Sequence, residues 1–151
     1  MANFTYTTGL RNVGSYQVSG TPFVTGSSNL DDEKVHMVEF PYVSKSVTVI
    51  NINSNSGEDI RVHFQSGSAT AVTVAGDTGA QTTAESGDVL GRFHFITVPS
   101  GFASVTFDVK CTKLYISQNT NTPNLAYQVF AELTQIPAAS MYNLTGSGIT
   151  E

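Results

Sequence analysis

The stretch Asp59-Ile60-Arg61-Val62-His63-Phe64-Gln65 alternates apolar and polar side chains over its whole length. An alternation of period two is typical of a half-buried β-strand, because successive side chains of a strand point to opposite faces of the sheet. The three apolar residues then face a core, and the arginine, histidine and glutamine face outward. The stretch therefore predicts a sheet with one buried face and one polar face.

Further runs along the chain repeat this pattern, and none stands out with the apolar spacing of a helix. In Arg92–Val98, Phe93 and Phe95 share the core face, and Arg92 and His94 share the other. The remaining predicted strands are Ala103–Cys111, Tyr127–Leu133, Val35–Phe40, Ala71–Val74, Thr112–Ser117 and a short one around Ser15–Val18.

One run changes phase. In Ser46–Asn53, Val47 and Val49 share one face, whereas Ile50 and Ile52 fall on the other. Such a change predicts either a β-bulge or a strand that is covered on both faces.

Turn-forming residues separate the runs. Asn53–Gly57 is a polar loop, Pro99–Gly101 is predicted to be a tight hairpin turn, and Gly76–Gly91 is predicted to be a long mobile loop. Short strands at regular spacing in a chain of 151 residues predict one all-β domain. We expect an antiparallel β-sandwich or jelly roll of about seven to nine strands.

The two ends of the chain differ from the middle, since they are rich in Gly, Ser and Thr yet carry aromatic residues. We assign residues 1–29 to an N-terminal arm with a short strand, residues 30–136 to the β-sandwich core and residues 137–151 to a C-terminal arm. Disordered tails usually lack aromatic residues. Two interpretations remain open: the arms dock on a neighbouring subunit, or they fold back over their own sandwich.

The composition indicates which classes of partner this chain can bind. Charged residues make up 13% of the chain, against about a quarter in an average globular protein. A surface of this kind can be covered by a neighbour without desolvating many charges. The net charge is −5 and the cations are scattered, so we expect neither nucleic-acid nor membrane binding.

Residue patterns that support catalysis are not found in the sequence. The three histidines form no H-x-H pair and no H-E-x-x-H motif, so we expect no metal site. Cys111 continues the apolar phase of its strand and is expected to be a buried, inert thiol. Met1–Gly9 shows neither a basic nor an apolar signal-peptide region, so no secretory leader is expected. We expect a non-enzymatic protein without cofactors.

The pairs Arg61/His63 and Arg92/His94 each place an arginine and a histidine on one face of a strand. Adjacent strands would join them into a small cationic patch for an acidic partner, although an ordinary polar sheet face is the favoured interpretation. The residues predicted to contact neighbours are Phe4, Tyr6, Tyr16 and Phe23 in the first arm, Arg61, His63, Arg92 and His94 on the strands, and Met141, Tyr142 and Leu144 in the last arm.

Three stretches resemble a known group of proteins. They are Gly9-Leu10-Arg11-Asn12-Val13-Gly14-Ser15-Tyr16-Gln17-Val18-Ser19-Gly20, Phe40-Pro41-Tyr42-Val43-Ser44-Lys45-Ser46-Val47-Thr48-Val49, and Leu144-Thr145-Gly146-Ser147-Gly148-Ile149-Thr150-Glu151. The sequence in them is similar to small virion structural proteins of tailed, cyanophage-like bacteriophages. The resemblance implies a β-rich protein on the particle surface, assembled in the host cytoplasm, and it assigns no functional residues.

Several functions follow as expectations. The first is a capsid decoration, or cement, subunit that binds between capsomers, contacts the major capsid protein or other virion subunits, and forms a symmetric homo-oligomer such as a trimer. The alternative is a tail, neck or baseplate subunit. A receptor- or glycan-binding module ranks lower, because no aromatic residue occurs in Gly76–Gly91. An enzyme ranks last.

Overall fold

The computed structural model describes residues 8–31, 34–65, 72–73, 82–83, 93–118, 120 and 122–143. These residues form an all-β sandwich, as predicted. Its strands are β1 Thr21–Leu30, β2 Lys34–Glu39, β3 Tyr42–Asn51, β4 Ile60–His63, β5 Val72–Thr73, β6 Thr82–Thr83, β7 Ile96–Val98, β8 Ser104–Phe107, β9 Lys113–Gln118 and β10 Leu125–Pro137. A short α-helix, α1 Gly14–Gln17, precedes them, and a 3-10 helix, Ala138–Ser140, follows.

The strand order is that of a jelly roll. The first sheet has the order β1-β10-β3-β8, and the second has β2-β9-β4-β7, with the two-residue strands β5 and β6 beside β2. All pairs are antiparallel except β2 with β5. Outside the stretch from β4 to β7, each connection passes from one sheet to the other, so the two sheets are joined repeatedly along the chain.

The core lies between the sheets and includes many of the side chains that the alternation predicted. Ile60 and Val62 on β4 are fully buried, and Val105 and Phe107 on β8 pack against the core. On β10 the side chains in this core are Leu125, Tyr127, Val129, Ala131 and Leu133. Each large apolar side chain removed from water stabilises the fold by about 1.5–3 kcal/mol, which is why the alternating runs dictate which faces meet.

The sandwich has two distinct ends. The loop end carries the connections that follow β1, β3, β7 and β9. The arm end carries the residues that precede β1 and follow β10, because Pro137 pairs with Tyr42 at the start of β3. Every long strand runs from one end to the other.

The N-terminal region differs from the prediction in two ways. Ser15–Val18 is not a strand, since Gly14–Gln17 forms a helical turn. The sandwich begins at Thr21 rather than at residue 30, because β1 pairs with β10 along nearly its whole length. Gly26, Ser27 and Ser28 interrupt the apolar alternation of β1 and hid this strand from pattern analysis.

The region around β7 also differs. Only Ile96–Val98 is a strand, and Phe93 turns away from the core with φ +60° and an exposed fraction of 79%. The Pro99–Gly101 turn does not close a hairpin, because β7 belongs to the second sheet and β8 to the first. The turn residues were recognised correctly, but their local chemistry is the same for a hairpin and for a crossing between sheets.

The phase change in Ser46–Asn53 has a different origin from either prediction. A bulge does occur in β3, but at Lys45, where the register steps from Ser46 to Ser44 opposite consecutive residues of β10. Beyond it, Val47, Val49 and Asn51 are buried in regular alternation. Asn51 occupies the inward position, and its polar side chain made the strand look out of phase.

Two predicted segments are described only in part. Of Ala71–Val74, Val72–Thr73 pairs in parallel with β2. Of Gly76–Gly91, residues 82–83 pair with β2, and the rest lies outside the described residues. None of the helices within the described ranges has the length and apolar character needed to cross a membrane.

Candidate interaction surfaces

The outer face of the first sheet, meaning the side of its strands that points away from the core, carries few charges. One row across it consists of Val24, Phe130, Thr48 and Thr106, and the Thr48 and Thr106 hydroxyls are hydrogen-bonded at 2.8 Å. Val24 is 73% exposed. The next row consists of Gly26, Gln128, Ile50 and Ser104. Both rows consist of uncharged polar and apolar residues.

Residues 9–20 cross the arm end of that face, and we call this segment the strap. Lys110 donates to the Leu10 carbonyl at 2.8 Å and lies 4.7 Å from the centre of the Tyr16 ring. Lys45 donates to the Val18 carbonyl at 3.4 Å and approaches the Glu132 carboxylate at 3.9 Å. The strap therefore runs over its own subunit from the β8 side to the β1 side. For these residues, the fold-back interpretation of the arm applies.

The C-terminal arm also begins against its own sandwich. Ala138 donates its N–H to the Pro41 carbonyl at 3.3 Å. Beyond it lies an open cleft of about 230 Å³, which we call the arm-end cleft. Its lining includes Phe64, Gln65, Lys113, Tyr115, Met141 and Tyr142. The cleft thus combines aromatic and methionine side chains with the polar side chains of Gln65, Thr112 and Asn143 and the Lys113 ammonium group.

The loop end is organised by two asparagines. Buried Asn51 donates from Nδ2 to the carbonyls of Glu58 (2.8 Å) and Val98 (3.0 Å) and accepts from the Asn53 N–H at 3.0 Å. Asn53 in turn exchanges hydrogen bonds with the backbone of Ala126. These bonds connect the ends of both sheets. The sequence pattern did not reveal them, because a polar residue at an inward position breaks the apolar alternation and looks like a change of phase.

The turn between β7 and β8 is fixed by the same network. Gly101 donates its N–H to the Asn53 carbonyl at 2.7 Å, and Ser100 donates to the Asp59 carboxylate at 2.9 Å. Gly101 and Phe102 both have positive φ, +91° and +62°. The Phe102 ring projects from this turn and is 66% exposed. Sequence analysis did not single out Phe102, although an aromatic residue after a Pro-Ser-Gly turn was a visible signal.

The prediction of a cationic patch is wrong for His63. His63 lies on the outer face of the second sheet but is only 1% exposed. Its ring stacks on Tyr115, Nδ1 is hydrogen-bonded to the Gln65 carbonyl at 2.6 Å, and Nε2 to the Ser117 hydroxyl at 3.2 Å. Burial lowers the pKa of His63 to about 4, so the ring is neutral near pH 7. An outward phase therefore did not mean an exposed side chain.

The other predicted contact residues are dispersed. The Arg61 guanidinium lies 4.6 Å from the centre of the Phe95 ring, and His94 is exposed in the adjoining loop. Phe23 packs edge-on against Phe40 in the core rather than reaching a neighbour. Four predicted contact residues lie outside the described residues: Phe4, Tyr6, Arg92 and Leu144.

His36 and Cys111 are also titratable side chains that are buried in the core. His36 on β2 is hydrogen-bonded through Nδ1 to the Tyr127 hydroxyl of the opposite sheet at 2.9 Å, and burial lowers its pKa to about 4. Its Nε2 has no hydrogen-bond partner among the described residues. Cys111 is buried beside Ser44, and burial raises the pKa of its thiol to about 11. Within the described part of the chain, no group of three or more His, Cys, Asp or Glu side chains is placed to hold a metal ion.

Comparisons with known proteins give no match: no protein-family model, no curated protein and no solved structure is significantly similar to this chain.

Proposed function

We propose that this chain is a non-enzymatic structural subunit of a bacteriophage virion, a decoration or cement protein that stabilises the capsid by binding between capsomers. The observation that carries the proposal is the outer face of the first sheet. Its two central rows present Val24, Phe130 and Ile50 among Thr, Ser, Gly and Gln, without a charge. A partner can cover such a face without leaving buried ions unpaired.

Two further points support the proposal. The jelly-roll order is one that viral capsid domains use, although lectins and cupins use it as well, so the architecture is only compatible with the role. The resemblance of the sequence stretches 9–20, 40–49 and 144–151 to small virion proteins favours the first of these uses.

The mechanism would be mass action. A protein that binds the assembled shell but not its separate subunits stabilises the shell in proportion to RT ln(1 + [L]/Kd). Many copies on one particle add their contributions, and oligomeric copies add avidity. No bond is made or broken in this role.

Copy number is the first test of the proposal. Quantitative mass spectrometry of purified particles, and of their separated heads and tails, should find hundreds of copies that travel with the heads. A small multiple of six that travels with the tails would instead assign the chain to a tail, neck or baseplate ring.

Substitution of Val24 tests the proposed surface. Val24→Lys places an ammonium group in the covered area, so binding to shells depleted of the protein should weaken at least tenfold. The stability of the purified chain should change by less than about 0.5 kcal/mol, because Val24 is exposed. Ile96→Lys is the matched control, since Ile96 is a 49% exposed β-branched residue on the other sheet. Equal binding of both variants and the wild type would contradict the proposed surface.

A further inference from the structure

The Phe102 side chain is held out from the loop end in a backbone conformation that disfavours it. Bulky side chains rarely adopt positive φ, because Cβ crowds the backbone, and such outliers persist only when their surroundings fix them. Here the hydrogen bonds of Gly101 and Ser100 fix the turn. The exposed ring gains little from its own subunit in return. A rigid, exposed aromatic side chain has the properties of an anchor at a protein interface.

The arm-end cleft offers a complementary site on the opposite end of the same molecule. Its volume of about 230 Å³ exceeds the roughly 150 Å³ of a cavity known to hold benzene. Met141 and Tyr142 form one wall, and Met side chains adapt readily to the shape of an aromatic ring. Tyr142 is 39% exposed, so the wall is accessible from solvent.

The charges of the two ends also complement each other. In the loops that follow β1, β3, β7 and β9, the described charged residues are Asp31, Glu58 and Asp59, and Lys34 lies at the start of β2. Among the described residues, the arm end carries four cations and three carboxylates: Arg11, Lys45, Lys110 and Lys113 against Glu39, Asp108 and Glu132. Two of the cations are paired within the subunit, Lys113 with Glu39 at 3.3 Å and Lys45 with Glu132 at 3.9 Å. Like charges oppose contact between two loop ends, whereas opposite charges favour contact between a loop end and an arm end.

We propose that copies of this chain associate loop end to arm end, with the Phe102 ring of one copy filling the arm-end cleft of the next. A contact between two different surfaces either closes into a ring or continues as a filament. Because the two surfaces lie at opposite ends of the molecule, the contact continues as an open head-to-tail chain of copies rather than closing into a small ring.

Sedimentation velocity of the purified chain tests the association. The wild type should form head-to-tail oligomers that grow as concentration rises and that dissociate as salt is added. Phe102→Asn should remain monomeric with an unchanged or raised Tm, because Asn tolerates positive φ. Phe93→Asn is the matched control, since Phe93 has φ +60° and is 79% exposed on the other side of β7. This variant should associate like the wild type.

Mixing two variants tests the geometry. Met141→Glu places a carboxylate in the cleft and should also give monomers. Tyr142→Glu, at an exposed position, replaces it if Met141→Glu lowers the Tm. An equimolar mixture with Phe102→Asn should give dimers only, because one variant supplies the anchor and the other the intact cleft, and the remaining ends cannot bind.

Three results would overturn the inference: a monomeric wild type at all concentrations, undiminished association of Phe102→Asn, or a mixture that stays monomeric. The virion role is tested separately. A wild type that binds shells but never self-associates contradicts this inference alone, whereas a wild type that self-associates but binds no shells contradicts the proposed function alone.

Discussion

At the scale of single residues, the two buried histidines couple the stability of the fold to pH. Each has a folded-state pKa of about 4, against about 6.5 for an exposed histidine. Between these values the unfolded chain binds protons that the folded chain excludes. The histidines therefore leave stability intact above pH 6.5 and reduce it as the pH falls towards 4.

We predict that acidification lowers the free energy of unfolding by about 2 kcal/mol per buried histidine at about pH 5, and by about 3 kcal/mol at about pH 4. Urea unfolding between pH 7 and pH 4 measures the effect. His63→Gln should be less stable than the wild type at pH 7 but should lose less on acidification. His94→Gln alters an exposed histidine and should follow the wild type. Parallel pH profiles for His63→Gln and the wild type would refute the assignment.

At the scale of elements, the loop end depends on one amide. Asn51 donates to two backbone carbonyls, one in the connection before β4 and one at the end of β7, so its removal leaves buried acceptors without donors. The neighbouring Asn55 also makes a side-chain hydrogen bond, to the Glu58 carboxylate at 2.7 Å, but it is exposed.

We predict that Asn51→Ala lowers the free energy of unfolding by about 3 kcal/mol, whereas Asn55→Ala lowers it by about 0.5 kcal/mol. Chemical denaturation of the two variants side by side measures the difference. Similar losses for both would show that the Asn51 network does not hold the loop end together.

The elements also show what the sequence could predict. β4 and β10 were found with their buried faces because their side chains alternate strictly, and β2 and β9 were found almost to the residue. β1 was not predicted, because Gly26 and the two serines after it interrupt its apolar alternation. The sheet to which each strand belongs could not be read from turns, since that depends on which faces pack together.

The interaction surfaces were less predictable than the fold for a related reason. The outer face of the first sheet is built from four strands that lie far apart in sequence, such as β1 and β8. Phe102 follows the predicted Pro99–Gly101 turn, but its exposure depends on backbone dihedrals that no periodicity reports. The aromatic residues predicted to contact neighbours were those of the arms, and one of them, Tyr16, contacts Lys110 of the same subunit.

At the scale of the whole molecule, the jelly-roll order makes nearly every neighbouring pair of strands distant in sequence. β1 pairs with β10, and β4 with β9. Such pairs form only after long loops have closed, and folding slows as this separation grows. We predict that refolding from urea takes from milliseconds to seconds, as followed by stopped-flow tyrosine fluorescence, the chain having six Tyr and no Trp. Complete refolding within microseconds would contradict this prediction.

The pairing of β1 with β10 has a mechanical consequence. Thr21 lies opposite Leu133, so the start of β1 and the C-terminal part of β10 are neighbours in the first sheet. The two arms therefore join the sheet at adjacent positions. Tension applied between the two arms would peel this ladder apart one hydrogen-bonded pair at a time, starting at Thr21. Tension applied through the sheet faces or between the two ends would load many pairs at once. Such a subunit resists unfolding when force is applied to its surfaces, and it unfolds more easily when force is applied to its arms.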